Sequence, residues 1–366
     1  MKKKCFDNIV LKKLCNFAAE KIEKTMKQFG FSLFFLLLFC VTTLAQENKV
    51  LNLQVEARGD YQREYVDGEA MKDNSGFKGK YFTVNVSGDI SEKFSYKFSH
   101  RLNKYSSNSS FFDATDVLYV DYKPTDAITL SAGKQVVLIG GYEYDRAPID
   151  LYFCSEYWHN VPCYMWGGSV EYKLPNEKDK FLFQFCESPF RSYHPNSDMY
   201  SYNLAWYGTH GFYNAIWSLN MLEYAEGKYI SYLALGNEFC FNDKVKLQLD
   251  FMNRASSGHS YFFKNCSFVG ELSYRPIEQL NIFAKASYDV NHTNTASDYC
   301  VMDNTELTSV GGGIEYFPLP NHDFRLHANG SYTWGKNGNP DGVLQNKQTY
   351  IDFGMTWKMD IWSLKR

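Results

Sequence analysis

Lys244-Val-Lys-Leu-Gln-Leu-Asp-Phe251 reads polar and apolar by turns. Val245, Leu247, Leu249 and Phe251 fall on one side, and Lys246, Gln248 and Asp250 on the other. A period of two is that of a strand, whose successive side chains point to opposite faces. The same alternation returns in Phe94-Ser-Tyr-Lys-Phe98 and in Phe324-Arg-Leu-His-Ala-Asn-Gly-Ser-Tyr332. A slip of one residue would exchange the two faces, so the register is strongly specified.

Working outward from these stretches, the pattern predicts sixteen strands: 49–60, 80–88, 93–103, 115–123, 127–137, 164–173, 181–188, 200–208, 211–220, 229–237, 244–253, 263–274, 279–289, 305–316, 323–334 and 347–358. The links between them alternate in length. Short ones, such as Pro124–Asp126, Thr209-His210 and Arg275–Glu278, carry turn residues at or beside the link. Longer ones include Tyr61–Gly79, Lys104–Ala114, Leu138–Cys163, Met221–Lys228, Arg254–Phe262 and Val290–Asn304. An even strand count with alternating short and long links is the pattern of an all-β transmembrane antiparallel barrel. No run after Ala45 is long and apolar enough for a membrane helix.

Composition points the same way. Phe, Tyr and Trp make up 17% of the chain, yet the mean hydropathy is −0.40. A barrel with an apolar, ring-girdled outer face and a polar inner face reconciles the two.

The stretch MKQFGFSLFFLLLFCVTTLA, Met26–Ala45, reads as a secretory signal: Lys27, then an apolar run, then small residues at the cleavage site. Residues 1–45 are therefore an extended n-region plus signal peptide, with Met26 an alternative start, and 46–366 the barrel. Cleavage removes eight of the 38 Lys and Arg and three of the 41 Asp and Glu, leaving a net charge of −8. That argues against a nucleic-acid partner, which needs a basic surface. Six cysteines remain after cleavage, with no CxxC and no zinc-type spacing. Cys154 and Cys163 stand close enough in one long loop to pair in an oxidising compartment, though sequence alone does not fix it.

At Thr115–Tyr152 the chain reads TDVLYVDYKPTDAITLSAGKQVVLIGGYEYDRAPIDLY. This stretch, with Val86–Lys104, resembles the phosphate-selective porin O/P family. Gly140-Gly141 and Glu143 match that family's motif residue for residue. The resemblance implies a sixteen-stranded pore, commonly a homotrimer, whose third loop, 138–163, folds into the lumen. It also implies phosphate specificity, and here the residues depart. The loop's one fixed positive charge is Arg146, with His159 a second candidate if protonated, against Glu143, Asp145, Asp150 and Glu156. These five charged residues are the expected pore constriction. Lys97, Arg101, Lys246, Asp250, Lys285 and Arg325 are the expected pore wall. With Asp121, Asp289, Glu315 and Asp352 on the same face, the lining is mixed in sign and predicts weak selectivity, neutral to mildly cation-preferring.

No catalytic, cofactor or metal motif stands in the chain. The expectation is an outer-membrane porin, not an enzyme, in contact with lipid and passing small hydrophilic solutes or ions without a cofactor. The alternatives are a secreted or surface β-protein binding glycans through its tyrosines, and an outer-membrane hydrolase.

Overall fold

The computed structural model describes residues 49–104, 110–256 and 262–365. The signal reading of Met26–Ala45 lies outside the described residues. Within them the chain forms sixteen long antiparallel strands: β1 Lys49–Val66, β2 Gly76–Asp89, β3 Phe94–Arg101, β4 Thr115–Thr125, β5 Ile128–Val136, β6 Tyr164–Lys173, β7 Asp179–Glu187, β8 Tyr200–His210, β9 Tyr213–Ala225, β10 Lys228–Cys240, β11 Val245–Ser256, β12 Asn265–Ile277, β13 Leu280–Asn291, β14 Thr305–Tyr316, β15 Phe324–Lys336 and β16 Gln348–Lys365. A two-residue extension, Glu69–Ala70, folds back on the end of β1. Each strand pairs with its chain neighbour, and β16 closes on β1 from Val66↔Gln348 to Lys49↔Lys365. Closure leaves no free edge, which is what hydrocarbon surroundings demand of a sheet.

The outer face is the reverse of a soluble protein's. In β8, Tyr200, Tyr202 and Leu204 are exposed while Ser201, Asn203 and Ala205 between them are buried. In β16, Ile351, Phe353, Met355 and Trp357 are exposed, and Asp352 and Thr356 are buried. A soluble sandwich or propeller would bury that apolar set in a core. Here it forms the outer belt of a membrane barrel. Rings pack along the belt across neighbouring strands, as in the tilted pair Phe251–Phe268 at 4.8 Å and the edge-to-face pair Trp206–Trp217 at 5.1 Å.

Two links and one strand end differ from the sequence expectation. Met221–Lys228 is not a long link. β9 and β10 run on and close over Glu226-Gly227, with Ala225 opposite Lys228, because Gly227 takes the positive φ of a tight turn. The link placed at Tyr61–Gly79 shrinks to residues 67–75, because β1 continues to Val66 and β2 starts at Gly76. The last strand runs on to Lys365. The links at Lys104–Ala114 and Arg254–Phe262 fall partly outside the described residues.

Register gives a direct test. Leu249 is outward and 43% exposed, while its neighbour Asp250 points inward to the backbone of residues 142 and 143. An arginine on the lipid face costs ~2–4 kcal/mol at the midplane and ~0–1 near the interface. Leu249→Arg should therefore lower the yield of assembled, heat-modifiable barrel well below that of Lys246→Arg, an inward exchange on the same strand. Equal yields would mean that the two faces are misassigned.

Candidate functional site

Between β5 and β6 the chain enters the barrel. Residues 137–163 touch inward side chains of β1, β7, β9, β11, β12, β13, β14, β15 and β16, which only a segment inside the lumen can do. Entry is fixed by Gln184, which accepts from Leu138 N at 2.9 Å and donates to Val136 O at 2.9 Å. Asn220 donates to Leu138 O at 2.6 Å.

Gly140 and Gly141 then lay the backbone flat against β9 and β10. Gly140 N donates to Ser218 Oγ at 2.8 Å and Gly141 N to Ile216 O at 3.2 Å. A Cβ on Gly140 would stand 2.6 Å from Ile216 O, and one on Gly236 of the wall 2.8 Å from Gly141 Cα. Gly141 also has φ near +107°. The paired glycines are thus a requirement of docking.

Helix α1, Tyr142–Asp145, starts on the wall. Both carboxylate oxygens of Asp250 accept from its first amides, Tyr142 N and Glu143 N, each at 2.8 Å. Glu143 is buried and lies 2.7 Å from Lys285 Nζ. It also accepts from Ser155 N at 3.0 Å and from Ser155 Oγ. Burial alone would raise the Glu143 carboxyl. The Lys285 ammonium and the Ser155 donors outweigh it and hold the carboxyl below its ordinary range.

Arg146 forks onto Glu271 at 2.8 and 2.9 Å and reaches Gln248 at 2.7 Å. Asp150 stands 3.0 Å from Arg325 and 3.3 Å from Lys358. Tyr152 donates to Glu315 at 2.6 Å. Helix α2, Glu156–Asn160, is capped by Ser155 and donates Glu156 N to Asp289 at 2.9 Å. Glu156 is fully buried. One of its oxygens takes Asn160 Nδ2 at 2.7 Å, and the other has no hydrogen-bond partner. Burial pushes its carboxyl up to about 7, and the charge of Asp289 adds to that against the amide donors.

Two more loops complete the filling. Phe190 of the link after β7 is wholly buried, and Ser188 there bonds Glu223 O at 2.6 Å. Asp298 of the link after β13 pairs with the buried Arg254 at 2.7 Å and accepts from Asn265 at 2.8 Å. Val137, Ile139, Tyr157, Val161, Phe190, Cys300 and Val301 from the three loops meet Leu222, Ile230, Tyr232 and Met252 of the wall in one apolar cluster. The lumen beside β7–β12 is therefore a packed core. The open space, about 490 Å³, lies on the other side, between the loop and β1–β6. Lys97, Arg101, Asp116 and Glu56 line it from the wall, and Asp145 and Arg146 from the loop.

The expected site residues separate accordingly. Asp145 and Arg146 line the space. Glu143 and Glu156 do not; they are buried within the plug and face no open path, a correction to their expected place at the constriction. Sequence counts formal charges, whereas the loop spends these charges on docking. Asp150 is likewise engaged, and Asp250, Lys285 and Arg325 are covered wall anchors. Lys97 and Arg101 face the space, Arg101 paired with Asp116, while Lys246 is exposed further along β11. Cys154 and Cys163 are free thiols, as are the other four described cysteines. Sequence reasoning missed Arg58, Gln184, Arg254 and Glu271. Their one signal was a charged or amide residue at inward parity on a strand.

A closed sixteen-stranded barrel with an apolar belt and a loop folded into its lumen is the architecture of an outer-membrane porin. Residues 51–211, β1 to β8, match the family model for phosphate-selective porin O and P. The fold is shared with an anion-selective porin from Comamonas acidovorans at 12% identity, covering 84% of this chain and 99% of that one, TM-score 0.61. It is shared too with the outer-membrane channel DcaP of Acinetobacter baumannii, at 12% identity over 87% of this chain and 99% of that one, TM-score 0.59, and with OmpT of Vibrio cholerae, at 12% over 87% and 100%, TM-score 0.59. No curated protein sequence matches the chain. The chain is an outer-membrane channel for passive diffusion of solutes.

Proposed function

We propose that small hydrophilic solutes and ions cross through the eccentric space between loop 137–163 and β1–β6, with weak charge preference. Passage is physical, with no catalytic step. The observation that carries the reading is how charge is spent around that space. Arg101 pairs with Asp116, and Arg146 with Glu271. Glu56 lies 3.9 Å from Lys358. What remains is Lys97, exposed and without an ion pair among the described residues, and the exposed Asp145, whose hydrogen bond is a 3.5 Å contact from Tyr207. One free charge of each sign supports near-neutral selectivity and no tight block by phosphate.

Single-channel recording in a salt gradient tests this. The wild-type reversal potential should lie near zero, and Lys97→Glu should move it clearly towards cations. A unit charge at 4 Å is worth about 1 kcal/mol in water, so exchanging its sign should change the cation-to-anion permeability ratio roughly fivefold or more. A strongly anion-selective wild type blocked by micromolar phosphate would overturn the reading. Cleavage after Ala45 and a homotrimer are part of the proposal. One of the Vibrio cholerae OmpT structures is a trimer form, and conductance lost in three equal steps would match such an assembly.

A further inference from the structure

Strands β15, β16 and β1 lie side by side where the barrel closes. Across them Asp60 faces Gly354, and Gly354 faces His327. One row along, Gln62, Asp352 and Asn329 stand in the same order. Gly354 presents no side chain, so a gap opens between Asp60 and His327. A Cβ at 354 would overlap Asp60 Oδ1. Into that gap point three side chains with no exposed surface. His327 Nε2 is 3.2 Å from Asp60 Oδ1 and 3.7 Å from Asp352 Oδ1, and one ligand atom of each residue lies within 4.8 Å of the others. Ligands of a tetrahedral ion, each at ~2.0–2.1 Å from it, stand ~3.3 Å from one another.

The carboxylates are oriented from behind. Arg58 Nη2 holds Asp60 Oδ2 at 2.8 Å and Asp352 Oδ2 at 3.5 Å. The Tyr350 hydroxyl donates to Asp352 Oδ2 at 2.9 Å. Arg58 Nε also reaches Asp60 Oδ1, at 3.2 Å, which leaves that oxygen a second lone pair. Such outer hydrogen bonds aim ligating carboxylates in metal sites.

A separate observation points to a ligand. His327 Nδ1 makes no hydrogen bond, Nε2 meets Asp60 Oδ1 only as the 3.2 Å contact and out of hydrogen-bond alignment, and Asn329 Oδ1 has no partner although its amide nitrogen rests on Asp352 Oδ1. Both residues are buried, where an unmade hydrogen bond is costly. An ion in the gap would engage His327 Nε2, and with the amide turned over it would engage Asn329 Oδ1 too.

We propose that Asp60, His327 and Asp352 bind one divalent transition ion of the zinc class, with Asn329 Oδ1 or a water as fourth ligand. An imidazole with carboxylates selects this class over magnesium or calcium, which take oxygen ligands. Arg58 already balances one carboxylate, so the affinity is expected to be micromolar rather than that of a tight structural site. The ion would staple β1 to β15 and β16 at the seam that closes the barrel.

The test uses the full barrel, folded in detergent and stripped with a chelator. Titration with Co2+ should give one ion per chain with visible ligand-field absorption, displaced by Zn2+. His327→Gln and Asp352→Asn should weaken uptake at least tenfold while keeping the heat-modifiable mobility of a folded barrel. Gly354→Ala keeps every ligand but sets a Cβ against Asp60 Oδ1 and Gly59 O, displacing the Asp60 carboxylate, and should weaken uptake as strongly. If those variants fail to assemble, the wild type decides alone: Zn2+ must raise its unfolding temperature. No stoichiometric uptake, uptake unchanged in His327→Gln, or a transition indifferent to Zn2+ would each overturn the proposal.

Discussion

A Lys285→Met chain is expected to lose its plug before it loses its barrel. Glu143 is buried, and its charge is met by the Lys285 ammonium at 2.7 Å and by Ser155. Lys285 also donates to Phe153 O at 2.9 Å. Removing one partner of a buried pair costs ~3–5 kcal/mol, because the other charge stays behind uncompensated. That cost falls on loop 137–163, while the wall hydrogen bonds of β13 are untouched. The expected result is a larger or fluctuating single-channel conductance and faster cleavage by added protease within residues 137–163, with heat-modifiable mobility retained. The pair also has a pH sign. The Glu143 value is depressed on folding, so its contribution is present above the ordinary carboxylate range near pH 4.5 and is lost as pH falls through the lower folded value. Conductance and protease resistance equal to wild type would show that the Glu143–Lys285 pair does not hold the loop.

The opposite sign is expected from Glu156. Its carboxyl is raised on folding to about 7, chiefly by burial, with one oxygen unpartnered and Asp289 close by. The folded state therefore holds its proton where the unfolded chain has released it. Stability falls as pH rises from the unfolded value near 4.5 through about 7, and is flat beyond. The full change is about 3 kcal/mol, taken as the shift times 1.36 kcal/mol per unit. Loop docking should be firmer at pH 5.5 than at pH 8.5, seen as slower protease cleavage and quieter single-channel traces. Glu156→Gln, neutral at every pH, should remove that difference. If the glutamine variant keeps the wild-type pH dependence, the titrating group lies elsewhere. Together the two acids place the plug's best pH near 4.5, where the Glu143 contribution is almost complete and the loss from Glu156 is only beginning.

Much of the fold was legible because a barrel wall obeys local rules. Alternation in Lys244–Phe251 assigned Leu249 outward and Asp250 inward with no knowledge of any partner strand, and sixteen such stretches with turn residues between them suffice for a closed antiparallel wall. The link at Met221–Lys228 was misread because loop length was inferred from where the alternation weakened. A tight Glu226-Gly227 turn needs only one glycine able to take positive φ.

The lumen obeys no local rule. In the sequence Glu143, Asp150 and Glu156 count as three free negative charges. In three dimensions each charge is consumed or buried by a wall residue far along the chain: Lys285, Arg325 or the neighbourhood of Asp289. The sign of the passage is what remains after that pairing, and pairing is a property of packing. The same holds for Asp60, His327 and Asp352, too widely spaced in the chain to form a motif and brought together only where β1 meets β15 and β16. The sequence by itself determined a membrane-spanning antiparallel barrel and which side of each strand meets lipid, because alternation against a two-faced environment is a one-dimensional code. The tertiary structure decided which part of the lumen is filled, which charges stay free and where ligands converge, because each depends on contacts between residues that only closure of the barrel brings within reach.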